Sequence, residues 1–116
     1  MDTRTKIVDG SALRGKPVTL VCAYFDPLLA WHAQRLEELR PRVQTLAAAV
    51  LPLENELLSQ RARAELAAAM RVIDYVLIAE NCVVRGLDPV EIIRLEEEDL
   101  RRRGEFIAHV RSRQIR

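Results

Sequence analysis

Cysteine, glycine, aromatic residues and unbalanced charge are all scarce in this 116-residue chain, and each scarcity removes a class of function. Its two cysteines, Cys22 and Cys82, lack the short spacing of a metal site, and no basic-then-apolar leader opens the chain. The expectation is two reduced thiols in a cytoplasmic protein, without a structural disulfide. His32 and His109 are the only histidines, so a multi-histidine metal centre within one chain is excluded, and no residue is assigned to a metal. The four glycines form no phosphate-cradling run, and no Cys-His or Ser-His arrangement stands out. A net charge of +1 gives no global field toward nucleic acid or an anionic membrane. Arg111, Arg113 and Arg116 cluster near the end, but nearby acids offset them and no stacking aromatics interleave them, so nucleic-acid binding is not expected. The longest charge-poor stretch, Thr45 to Leu53, is far short of the roughly 20 residues that cross a bilayer.

What is present is an aliphatic core and a regular alternation of elements. Apolar residues make up 49% and charged residues 30%, which suits one globular domain spanning 1–116. Val18 to Tyr24 is an almost unbroken apolar run that reads as a strand covered on both faces. Asp26-Pro27 reads as a helix start, an aspartate cap followed by proline, and Leu28, Leu29, Leu36 and Leu39 continue at helical spacing to Pro41. Thr45 to Leu51 reads as a second strand despite three consecutive alanines, Ser59 to Arg71 as a helix, and Ile73 to Ala79 as a third strand. Asp88-Pro89-Val90-Glu91 reads as another capped start, opening a C-terminal helical segment over 88–115, either one helix or two joined near Gly104. Glu97 with Arg101, Glu98 with Arg102 and Asp99 with Arg103 form acid-first i,i+4 pairs, each worth roughly 0.2–0.5 kcal/mol on a solvated face. The expected fold is α/β, a shortened Rossmann-like three-layer domain with a small parallel sheet and that C-terminal segment.

Within 16–80 the residues resemble a family. The stretch "AYFDPLLAWH" between strand and helix is similar to the G-x-F-D-x-x-H-x-G-H pattern of the cytidylyltransferase-like nucleotidyltransferases, in particular the glycerol-3-phosphate cytidylyltransferase and heptose-phosphate adenylyltransferase branch. "RAELAAAMRVIDYVLIAE" resembles that family's arginine-led helix running into a V-D-x-V strand, with Arg63 and Asp74 at matching separation. The resemblance implies a nucleotide, CTP or ATP with Mg²⁺, above the first strand. Its phosphates would meet the N-terminus of the first helix and two histidines that stabilise charge as a phosphate or phosphosugar attacks and pyrophosphate leaves. Carried onto this chain, the nucleotide-binding positions are Ala23, Tyr24, Phe25, Asp26, Trp31, His32 and Arg63, with His32 the only candidate for catalysis.

Phe25, Asp26 and His32 match the pattern, whereas Ala23 and Trp31 replace its glycines and Leu29 its first histidine. No counterpart of the family's later Ser/Thr-rich phosphate site follows. Loss of one transition-state donor costs about 10²–10³ in rate, so efficient transfer is not expected. Three readings follow: a degenerate nucleotidyltransferase-like domain with weak nucleotide or phosphate affinity; a non-catalytic homo-oligomeric interaction module, expected as a two-fold dimer, with the cleft plugged by Trp31; and an active nucleotidyltransferase using His32 alone.

Overall fold

The computed structural model describes residues 2–114. Four strands, β1 (Val18–Ala23), β2 (Thr45–Val50), β3 (Tyr75–Ile78) and β4 (Glu91–Arg94), form one parallel sheet in the order β3-β2-β1-β4. Helices α1 (Ala30–Leu39) and α2 (Gln60–Ala68) connect the first three strands, and α3 (Glu96–Gln114) follows β4. The α/β fold with an all-parallel sheet and a C-terminal helix is the one read from the alternation of elements.

Burial explains why the strands hold. All six residues of β1 are buried, and it pairs in register with β2 on one side and β4 on the other. The alanines of β2 favour helix in isolation, but this strand is flanked by β1 and β3 and covered on both faces, so tertiary packing overrides propensity. On one face Val21, Ala23, Leu46, Ala48 and Val50 meet Leu36 and Leu39 of α1 and Ala64, Ala67 and Ala68 of α2. On the other, Leu20, Cys22, Ala47, Ala49 and Leu77 meet Leu13, Leu51 and Cys82, so this third layer is irregular chain and a 3-10 turn (Gly10–Leu13) rather than α-helix. Gly10 is required there: a Cβ at this position would lie 2.5 Å from the Arg85 carbonyl oxygen. The outer edge of β3 is covered at Val76, whose carbonyl accepts from the Val8 N–H at 3.0 Å beside an Ile7–Val76 bridge.

Three expectations are corrected. Asp26 does not cap α1, which begins at Ala30 after Leu29; Asp26-Pro27 is a cis peptide inside the β1–α1 loop, and the Asp26 carboxylate faces another segment. Asp88 to Glu91 is not a helix start: Ile92 and Ile93 pair with Leu20 and Val21 as β4, and the C-terminal segment over 88–115 is a strand followed by one uninterrupted helix through Gly104, as far as Gln114; Ile115 lies outside the described residues. Cys22 and Cys82 are not free thiols but are bonded to each other, with Cα atoms 6.0 Å apart, which pins the β3–β4 connection onto β1. With them joined, the free-thiol argument for a cytoplasmic location falls away. Among the described residues no helix is long and apolar enough to cross a membrane.

Candidate functional site

In open α/β sheets ligands bind at the carboxyl ends of the strands, where the strand order reverses. Here that point lies between β1 and β4, and the chain leaving β1 carries most of the candidate residues. Ala23 closes the strand, its carbonyl accepting from the Leu51 N–H at 3.0 Å. Phe25 then takes φ 53°, a left-handed backbone that costs a bulky L-residue roughly 1–2 kcal/mol. Two bonds hold this turn: the N–H groups of Tyr24 and Phe25 both donate to Oδ2 of Asp99, at 2.8 and 3.0 Å.

Asp99 comes from the first turn of α3 and is buried. Its other oxygen, Oδ1, lies 3.0 Å from Nε2 of His32, which is itself fully buried. The Leu29 N–H donates to Nδ1 of the same ring at 2.9 Å, so Nε2 carries the proton and donates to Asp99. His32 therefore closes the first turn of α1 with one nitrogen and ties α1 to α3 with the other. Its face stacks on Trp31, with centroids 4.0 Å apart, and the Phe25 ring lies at 5.0 Å. The Arg102 guanidinium lies 5.0 Å from the Trp31 ring centroid, while the Trp31 Nε1 is buried without a partner among the described residues. Trp31 is thus a packing residue between His32 and α3.

The remaining candidates are equally engaged. Arg63 is fully buried and donates to the carbonyls of Leu58 (3.0 Å), Tyr24 (2.7 Å) and Leu51 (2.8 Å) and to Glu56 Oε2 (2.8 Å), which stitches α2 to the ends of β1 and β2. Asp26 accepts from the Leu57 and Leu58 N–H groups at 2.7 and 2.9 Å and pairs with Arg103 of α3 at 3.2 Å. Asp74 pairs with Arg40 and accepts from the Leu46 N–H at 2.8 Å, fixing the turn into β3. The Tyr24 phenol is held above its ordinary pKa by burial first and then by the charges of Glu96 and Asp99.

The fold thus brings Tyr24, Phe25, Asp26, His32 and Arg63 together around the end of β1, where the Tyr24 and Phe25 N–H groups and the side chains of Asp26, His32 and Arg63 bond within the protein. A surface concavity of about 560 Å³ lies at the carboxyl end of β3 between Arg14, Leu77, Val84 and Arg85. A smaller one, about 180 Å³, lies against Trp31, Gln34, Arg35, Glu38 and Arg102. Tyr24, His32 and Arg63 line neither. Among the described residues no group of three or more His, Cys, Asp or Glu is placed to hold a metal ion.

Asp99 and Arg103 are the site residues that the sequence reading misses, because the run Glu96–Arg103 looks like a solvated face. The i,i+4 pair expected between them does not form; each reaches instead across to the β1–α1 loop. Glu98 does bind Arg102 at 3.0 Å and also Arg35 at 2.9 Å, whereas Arg101 pairs with Glu105 rather than Glu97. The available signal was position: Leu95, Asp99 and Phe106 share one helical face, so an acid sits on the stripe that faces the domain. Compared with protein-family models and with curated proteins, the chain matches none.

Proposed function

We propose that this chain is a nucleotidyltransferase-like α/β domain that acts as a non-catalytic interaction module, its cleft closed by its own C-terminal helix. One observation carries the reading. Two successive backbone N–H groups and an imidazole N–H surround one position at the end of β1, a donor set suited to the several oxygens of a phosphate, and the two oxygens of the Asp99 carboxylate occupy it. The resemblance over 16–80 supports the kinship, and the buried wiring of His32 and Arg63 supports the loss of catalysis. Turnover through His32 alone requires Nε2 to reach a phosphate, and that nitrogen is on Asp99. Retained nucleotide affinity requires α3 to leave, breaking the Asp26–Arg103 and Arg35–Glu98 pairs as well.

Isothermal calorimetry with CTP and ATP, each with Mg²⁺, tests this. No saturable heat at millimolar nucleotide is expected, and no pyrophosphate release above blank with phosphosugars or polyol phosphates. Saturable binding would restore the reading as a degenerate nucleotide-binding domain, and pyrophosphate release would restore the enzyme.

A further inference from the structure

We propose that α3 pairs antiparallel with the α3 of a second copy of this chain, across a two-fold axis near Gly104. This inference supplies the partner of the interaction module and rests on that reading. Leu95, Asp99 and Arg103 hold α3 to the domain, which leaves another face outward. Along it run Glu97, Leu100, Gly104, Ile107 and Arg111, at the alternating three- and four-residue spacing of a helix seam. Leu100 is 45% exposed, and Gly104 is exposed, with nothing within 4 Å of where its Cβ would stand. A second backbone can therefore approach closely at the middle of the seam.

Charge selects the occupant and its direction. The first turn of α3 is acidic (Glu96, Glu97, Glu98, Asp99), and its last turn carries Arg111 and Arg113. Neither Glu97 nor Arg111 has an ion-pair partner among the described residues. The two stand equally far from Gly104 in sequence, so a two-fold axis there sets Glu97 of one copy beside Arg111 of the other, twice. Parallel pairing would set like charges together. An antiparallel pair brings Leu100 of each copy toward Ile107 of the other. It also covers the segment from Ala108 to Gln114, every residue of which is exposed; so short a helical stretch is marginal without packing. A single helix pair falls at the small end of specific interfaces, below about 1,200 Å² in total, so the dimer is expected to dissociate in the micromolar range.

Sedimentation equilibrium of the full chain from about 5 to about 300 µM, at low salt, reads this directly. The apparent mass is expected to rise from monomer to dimer. Glu97→Arg and Arg111→Glu, both at exposed positions, are each expected to weaken association about tenfold or more with an unchanged circular dichroism spectrum. An equimolar mixture of the two single variants is expected to recover association, as is the double variant, because each restores opposite charges at both contacts. A monomer at every concentration, or a dimer indifferent to both reversals, overturns the proposal; neither result bears on the nucleotide titration.

Discussion

Asp99 accepts three hydrogen bonds through one carboxylate, two of them buried and the one from Tyr24 partly so, and its removal strands all three donors. Asp99→Ala leaves the Tyr24 and Phe25 N–H groups and the His32 Nε2–H without a protein partner at a largely buried site, beside a backbone already held at positive φ. The expected loss is about 3–5 kcal/mol, measured by urea unfolding at a dilution where the chain is monomeric, whereas Glu97→Ala on the outward face should there stay within about 0.5 kcal/mol. Equal effects of the two substitutions would contradict the inward placement of Asp99. Glu98 sets a pH dependence of its own. Burial pushes its carboxyl up, but the bond from Arg102 and the neighbouring Arg35 outweigh this and hold it below its ordinary value of 4.5. A folded-state value below the unfolded one adds stability that is full above about pH 4.5 and is lost as pH falls through the folded value. Glu98→Gln should therefore lose less stability on acidification than the wild type. At this scale the sequence was a poor guide: Asp26, Phe25 and His32 could be picked out as a cluster, but an acid inside a run of eight residues, seven of them charged, does not announce that it points inward.

The elements were more legible. Apolar runs bounded by proline or polar turns located β1, β2 and β3 to within two residues, and Ser59 caps α2 through its hydroxyl, which accepts from the Ala62 N–H at 3.1 Å. The failures share a cause. Asp-Pro at 26–27 and at 88–89 both carry the local signature of a helix start, and in both places long-range bonds decide otherwise: Asp26 turns to the Leu57 and Leu58 amides, and Ile92–Ile93 complete the sheet against β1. A strand of four residues after such a signal cannot be told from a first helical turn without knowing that β1 has an open side. Helix α3 crosses Gly104 without a break, and an added methyl there meets nothing. Gly104→Ala should therefore raise thermal stability by about 0.5–1 kcal/mol, measured at a dilution where the chain is monomeric. A loss of stability would show that the helix needs a glycine for a bend or a contact.

As a whole the molecule is slightly drawn out. Its radius of gyration is 14.4 Å, against roughly 13 Å for a compact chain of this length, and its longest extent is 54 Å against 30 and 26 Å across. The Cys22–Cys82 bond spans 60 residues and clasps the irregular layer to the sheet. By loop entropy a link of this span stabilises by about 4 kcal/mol, so both sulfurs should resist alkylation until reduced, and reduction should lower the urea midpoint. The sheet's carboxyl end is what gives the molecule its character: β1, α1, α2 and α3 meet there and satisfy one another. The most direct test is an amide NMR titration of the full chain with CTP and with ATP, each with Mg²⁺, followed at the Tyr24 and Phe25 amides. Those two resonances should stay in place up to millimolar nucleotide; a saturable shift of both would mean that a phosphate takes the position held by the Asp99 carboxylate and that the cleft is open.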